Sequence, residues 1–331
     1  MNGKKKILLL TTGGTIACLQ GGEGLEPHRS GVMERELSLL RSYYEIEVRD
    51  LMCLDSSNIR PEEWQKMARE IYESRKGFQG IVVSHGTDTM AYTASALTFM
   101  LKNIDIPVVF TGSQLPLSDV LSDGPDNLRG AFAMAAAGHA GVFLAFDRKI
   151  MLGCRAVKVR ASGFSSFESI NARYAAAVSS LGLKVDERQL PVPSGSPELL
   201  PEISQDVFLL KLTPGLHPAI FEMLAAMGYR GIVIEAFGLG GINVLNRGLR
   251  GIQRAIEDGI SIVVTTQCLY DSSDLRVYQV GNRLLDLGVI QGRDMTTEAA
   301  MTKLMWALGQ GMDQQAIRRL FECSLAGEIT L

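Results

Sequence analysis

The sequence predicts an α/β protein built as two α/β domains, a larger N-terminal one with a mostly parallel sheet flanked by helices and a smaller C-terminal one. Three observations carry this. Short apolar runs alternate with longer stretches of helical period through the first half of the chain, the pattern of βα repeats on a parallel sheet. A proline-rich, weakly periodic stretch then interrupts the alternation, which resumes afterwards. Finally, 331 residues at 46% hydrophobic exceed what one core usually organises.

In chain order, strands are predicted at 7–11, 46–52, 80–84, 107–111, 141–146 and 150–155, and helices at 32–44, 61–76, 89–102 and 126–137. Ile7-Leu8-Leu9-Leu10 and Ile81-Val82-Val83 are apolar without alternation, as strands buried on both faces should be. The helix at Pro61 has a start signal: Pro61 suits an early helical position, Glu62 and Glu63 favour the positive end of the dipole, and Asn58 or Ser57 can accept the first free amides. From about Leu183 to Asp206 four prolines crowd together, so the predicted boundaries are residues 1–190, a linker at 191–206, and residues 207–331. The second domain resumes with strands at 207–212, 231–235 and 261–265 and helices at 218–227, 246–258, 297–309 and 313–321. There is no internal repeat and no low-complexity segment.

Charge and cysteine usage exclude several functions. A net charge of -3 with both signs interspersed gives no electrostatic footprint for nucleic acid. No apolar run approaches the roughly 18 residues of a spanning helix; Lys4-Lys5-Lys6 before Ile7 is the charged entrance of a first strand and not a signal peptide. Five scattered cysteines, Cys18, Cys53, Cys154, Cys268 and Cys323, lack the spacing of a disulfide framework or a zinc site. The expectation is a cytoplasmic protein with no metal and no cofactor.

Two turns follow the first and third strands, Thr11-Thr12-Gly13-Gly14-Thr15 and Ser84-His85-Gly86-Thr87-Asp88-Thr89. In an open parallel sheet, ligands collect outside the carboxyl ends of strands, so hydroxyls delivered there suggest nucleophilic catalysis. A threonine hydroxyl needs a nearby base and oxyanion stabilisation, and Gly13 and Gly14 would let backbone amides approach a substrate. Alone, Thr12-Gly13-Gly14-Thr15 fits a plain turn equally well. It lacks the full dinucleotide fingerprint, and the residues after it read as a flexible loop instead of a phosphate-capping helix. Asp88 could hold a cation or a substrate amino group and Thr87 could relay a proton. Thr89 suits a helix cap, and His85, with no acidic partner set by spacing, suits a structural role.

Taken together, Thr12-Gly13-Gly14-Thr15-Ile16-Ala17 and His85-Gly86-Thr87-Asp88-Thr89-Met90 resemble the bacterial-type L-asparaginases. Asp55-Ser56-Ser57-Asn58, Ala91-Tyr92-Thr93-Ala94, Thr111-Gly112-Ser113-Gln114, Ser122-Asp123-Gly124, Thr266-Gln267-Cys268 and Asp294-Met295-Thr296-Thr297-Glu298-Ala299 extend the resemblance over nearly the whole chain, to the cytoplasmic type I branch. The resemblance implies that Thr15 attacks the side-chain amide of L-asparagine, releasing ammonia, and that water hydrolyses the acyl-enzyme. Thr87, Asp88 and Lys158 would support it. Composition alone makes Lys158 a solvated strand lysine; the resemblance reverses that. It also implies that Asp55, Ser56, Ser57, Thr87 and Asp88 line the amino-acid pocket, that the Ser113 main chain accepts from the leaving amide, and that the chain is a homodimer or homotetramer with its site where protomers meet.

Two positions depart from the family pattern. Where many members carry a loop tyrosine that polarises the nucleophile, Gly24-Leu25-Glu26-Pro27 has Leu25; some relatives use a tyrosine of the C-terminal domain, which makes Tyr278 the candidate and Tyr270 the second. Glu235 in Ile234-Glu235-Ala236-Phe237 stands where some relatives place an effector-binding arginine, so the charge reversal predicts weak or absent activation by asparagine. Beside the asparaginase, with glutamine as a minor substrate, stand two other readings. One is the ammonia-generating subunit of a tRNA-dependent amidotransferase, expected to carry a further N-terminal domain and a partner. The other is a catalytically silent amino-acid-binding protein.

Overall fold

The computed structural model describes residues 3–20, 22, 25–28, 30–242 and 248–330. The chain divides into two compact units, residues 1–201 and 202–331. In the first, an eight-stranded sheet is built from β1 (Lys5–Gly13), β2 (Tyr44–Leu54), β3 (Gly80–Ser84), β4 (Pro107–Thr111), β5 (Gly141–Phe146), β6 (Lys149–Leu152), β7 (Ala176–Ser179) and β8 (Gly182–Val185), in the order β8-β7-β6-β5-β4-β3-β1-β2. From β2 to β5 every pairing is parallel, and β5 to β8 are antiparallel. The sheet is therefore parallel where the sequence shows apolar runs. The β7–β8 hairpin shows none, because its residues are largely half-buried or exposed.

Helices α1 (Glu34–Leu40), α2 (Pro61–Ser74), α3 (Met90–Met100) and α4 (Gly124–Ala136) supply the crossovers. Helix α3 is apolar nearly all round because nearly all of it is buried. Helix α2 starts at Pro61 as expected, but neither Asn58 nor Ser57 caps it. Glu63 reaches back to the Arg60 amide at 2.8 Å, half of a capping box, while Asp55 caps a separate one-turn helix at Ser56–Asn58. The predicted helix at 32–44 is shorter, preceded by a 3-10 turn at Ser30–Met33 and ended before β2. Residues after the first turn form a hairpin, Cys18–Gln20 against Leu25–Pro27, in place of the expected loop. Glu198–Leu199 pairs with Leu101–Lys102, and Tyr72 donates to the Pro197 carbonyl at 3.0 Å.

The second unit has a fully parallel sheet, β9 (Val207–Lys211), β10 (Gly231–Ala236), β11 (Ser261–Thr266) and β12 (Ile290–Gln291), paired in sequence order. Around it lie α5 (Ile220–Ala226), α6 (Gly248–Glu257), α7 (Gln279–Asp286), α8 (Thr297–Gly309) and α9 (Gln314–Phe321). The start predicted for α6, at Asn246, lies outside the described residues. Helix α7 and β12 are additions to the predicted elements, since a two-residue strand leaves no periodic signal. Leu210, Ile232, Ile234, Ile262, Val264 and Leu284 form the core of this unit.

Candidate active site

Because β1 lies beside β3 as well as beside its sequence neighbour β2, the turns after β1 and β3 meet. Thr12 Oγ1 donates to the Ser84 carbonyl at 2.8 Å. Beyond it the two glycine turns touch backbone to backbone: a Cβ on Gly14 would lie 2.3 Å from the Gly86 amide nitrogen, and one on Gly86 2.5 Å from Ser56 Oγ. Gly14 also holds φ 79°, so both space and conformation demand glycine there. Glycine serves here to bring into contact the two turns that carry Thr15 and Thr87, the next residue of each. The Gly14 amide itself donates to the Leu54 carbonyl at 3.1 Å, which corrects the expectation that it faces the substrate.

Thr15 opens a 3-10 turn, Thr15–Ala17, half-buried. Among the described residues its hydroxyl has no hydrogen-bond partner. Beneath it the Cys18 thiol donates to the Gly14 carbonyl at 3.3 Å, and burial pushes that thiol's pKa up, with Asp55 adding to the effect. Across the contact, Thr87 is buried while Asp88 is exposed. Lys158, at the end of a short strand Ala156–Lys158 paired with Phe167–Ser169, reaches both, with Nζ 2.8 Å from Thr87 Oγ1 and 2.6 Å from Asp88 Oδ1. Its side chain is 17% exposed, so the strand lysine is largely withdrawn from solvent.

Thr87 in turn donates to Gln114 Oε1 at 3.2 Å. The Gln114 amide group is itself fixed by the carbonyls of Ala161 (2.9 Å) and Gly163 (3.3 Å), and its backbone amide by Asp123 Oδ1 at 2.9 Å. Gln114 and Asp123 both belong to the family-like motifs, yet sequence reasoning assigns neither a role. The available signal is the Thr111-Gly112-Ser113-Gln114 turn, which points to the Ser113 main chain; the buried Ser113 hydroxyl is used locally, on the Leu115 carbonyl.

The helical-turn segment at 55–58 packs against the same place. Buried Ser56 accepts from the Asp88 amide through Oγ at 3.3 Å and from Thr89 Oγ1 through its carbonyl at 2.7 Å. Thr89 thus sits at the N-cap position of α3 without capping it, its hydroxyl donating across the turn to Ser56 instead, which corrects the expected cap. Asp55 accepts from the Ser57 amide and hydroxyl, both at 2.8 Å, and Asp55 and Ser57 are exposed. His85 is fully buried, with Nδ1 2.7 Å from the Gly86 carbonyl and its ring edge-on to Phe110. Burial drives its pKa down to about 4, so it stays neutral and orients the turn. Among the described residues no group of His, Cys, Asp and Glu is placed to hold a metal ion.

The remaining candidates lie elsewhere in the chain. Tyr278, in the second unit, is 63% exposed and precedes α7 in extended conformation. Glu235 is the penultimate residue of β10, where it accepts from Thr297 Oγ1 at 2.6 Å and faces Lys211 at 3.5 Å. Leu25 lies on the hairpin opposite Gln20.

Comparison with known proteins identifies the family. The family description for the asparaginase N-terminal domain matches residues 6–190, and that for the glutaminase/asparaginase C-terminal domain matches residues 206–321. The chain belongs to the asparaginase family. It is 44% identical to an L-asparaginase of Thermococcus kodakarensis, over 98% of this chain and 99% of that one. To L-asparaginase 1 of Escherichia coli strain K12 it is 35% identical, over 99% and 98%. The solved structure of the thermostable L-asparaginase from Thermococcus kodakarensis superposes with a TM-score of 0.92 at 42% identity, covering 98% of this chain and 99% of that one. A subunit of the glutamyl-tRNA(Gln) amidotransferase of Thermococcus kodakarensis is 36% identical, but only 77% of its length is covered. Among the described residues no helix is long and apolar enough to cross a membrane.

Proposed function

We propose that this asparaginase-family chain hydrolyses L-asparagine to L-aspartate and ammonia through an ester on Thr15. The observation that carries the proposal is the Lys158 ammonium bridging Thr87 and Asp88 on a turn whose Gly86 packs against Gly14, the residue before Thr15. Thr15 Oγ1 attacks the side-chain amide carbon, the C–N bond breaks, and nitrogen leaves as ammonia with the hydroxyl proton. Water then adds to the ester, regenerating Thr15 and releasing the second carboxylate of aspartate.

The hydrogen bonds around Thr87 support a particular contribution. A hydroxyl has one proton and two lone pairs; the proton is given to Gln114 and one lone pair accepts from Lys158. One lone pair is left to orient the amide or the hydrolytic water. Asp88, exposed beside Lys158, is suited to a substrate ammonium, and Asp55, Ser56, Ser57 and the Ser113 main chain complete the amino-acid pocket. Tyr278 supplies the hydroxyl that Leu25 lacks, within a homo-oligomer in which protomers share sites, and the enzyme works in the cytoplasm. Higher identity favours the asparaginase reading over the amidotransferase subunit.

The test is ammonia release by the purified chain from asparagine and from glutamine, repeated with Thr15→Ala and Lys158→Ala. Release abolished by both substitutions is expected; none at any asparagine concentration overturns the proposal and leaves a silent binding protein. One substrate methylene is worth only about 1 to 3 kcal/mol, so some glutamine turnover is expected. Tyr278→Phe should lower turnover far more than Tyr270→Phe, and equal near-native rates in both would remove Tyr278 from the mechanism.

A further inference from the structure

The second unit contains a half-open cavity of about 360 Å³ into which Arg276, Arg293 and Arg318 all project from different elements. Arg276 comes from the 3-10 turn Leu275–Val277, Arg293 from the turn after edge strand β12, and Arg318 from α9. Its floor is apolar, including the buried Val289 and Phe321. We propose that this cavity is a binding site for a small molecule bearing a phosphoryl group, held by the three guanidiniums with its organic part on the apolar floor.

The charges in the cavity do not balance internally. Arg276 Nε is 3.1 Å from Asp274 Oδ1, and Asp274 also feels the more distant Arg293, but among the described residues Arg293 and Arg318 form no ion pair. A single carboxylate, Glu322, lines the same space, and it too forms no ion pair among the described residues. Gathering like charges over an apolar floor costs free energy that a bound anion offsets. Arg293 is also presented from a fixed, unfavourable backbone: its φ is 54°, and its carbonyl is held by the Ser273 amide at 3.0 Å and the Ser273 hydroxyl at 3.2 Å. Non-glycine residues keep such a conformation only where their surroundings enforce it.

Phosphoryl chemistry fits better than a carboxylate. A carboxylate offers two oxygens and one charge, while a phosphoryl group offers three oxygens and nearly two charges to guanidinium forks that match it bidentately. The volume lies within the range of small-molecule sites, and every residue lining it belongs to the second unit.

Calorimetric titration of the full chain, in chloride buffer at fixed ionic strength, tests this with inorganic phosphate, pyrophosphate, adenosine monophosphate and acetate as probes. Expected is saturable uptake of pyrophosphate at one site per chain, at least tenfold tighter than acetate. Arg318→Ala, on an exposed helix face, should weaken it at least tenfold, as should Arg293→Lys, whereas Arg319→Ala, which does not line the cavity, should change it less than twofold. Adenosine monophosphate is expected to bind tighter than inorganic phosphate, and equal binding would overturn the placing of an organic part on the apolar floor. No saturable uptake, acetate binding as tight as pyrophosphate, or equal losses in Arg318→Ala and Arg319→Ala would each overturn the proposal.

Discussion

The two units share parallel β/α architecture but treat the carboxyl ends of their strands in opposite ways. In the first, the turns after β1 and β3 meet through glycines, and the Thr87 hydroxyl next to that contact bonds one lysine. In the second, the equivalent edge is closed by side chains. Gln267 Nε2 donates to the carbonyls of Leu212 and Glu235 at 2.8 and 2.9 Å, and Glu235 is taken up by Thr297 and Lys211. A crevice at strand ends is a property of the fold; whether it becomes a catalytic site depends on what fills it.

This contrast can be measured one residue at a time. The largest effect is expected for Gly14→Ala: its Cβ would collide with backbone at 2.3 Å in a left-handed conformation, so ammonia release should fall by about 10²-fold or more through loss of the Thr15 geometry. Near-native turnover would show that the glycine contact does not set the site. Next is Lys303→Met in the second unit. Lys303 and Glu328 are fully buried and 2.6 Å apart, and removing one member of such a pair costs about 3 to 5 kcal/mol. Chemical denaturation should show that loss in the second unit's transition, with turnover unchanged at low temperature.

The pH dependence should run oppositely in the two units. His85 titrates at about 4 when folded against an ordinary 6.5. Below 6.5 only the unfolded chain takes up this proton, so the first unit loses stability as pH falls toward 4, by at most about 3 kcal/mol. Glu298 is shifted the other way, from 4.5 to about 7, by burial and then by the neighbouring Glu235. Between those values the unfolded chain ionises while the folded one stays protonated, so the second unit loses stability as pH rises, again by at most about 3 kcal/mol. Scanning calorimetry across pH 4 to 7 should show the two transitions moving apart, and Glu298→Gln should flatten the second alone. The smallest effect is expected for Thr89→Val, which removes the 2.7 Å bond to the Ser56 carbonyl and should cost about 1 kcal/mol; no loss would mean that the segment at 55–58 is held by Ser56 Oγ alone.

The motifs around Thr15 and Thr87 are legible because strand and turn are local: an apolar run followed by hydroxyls and glycine announces itself within ten residues. Partners that meet across the sheet are less so. Gln114 fixes Thr87 from 27 residues away and Lys158 from 71, distances at which no periodicity speaks. Lys158 stands out through the family resemblance alone, and Gln114 is overshadowed by its neighbour Ser113. The caps differ from expectation for a related reason: Thr89 has capping chemistry, but its hydroxyl donates to Ser56, 33 residues away, and at α2 it is Glu63 that binds the Arg60 amide.

By itself, then, the sequence determined the apolar strands, the order of β and α, the break near the middle of the chain and the residue types of the site, all consequences of hydrophobic period and turn chemistry acting over short stretches. The tertiary structure alone decided that β1 lies beside β3, that the Gly14 amide is taken by Leu54, that Lys158 leaves solvent to bridge Thr87 and Asp88, and that the second unit's strand ends are plugged by Gln267. Those outcomes depend on strand order and close approach, which are set by how whole elements bury their faces against each other and not by any one segment's own preferences.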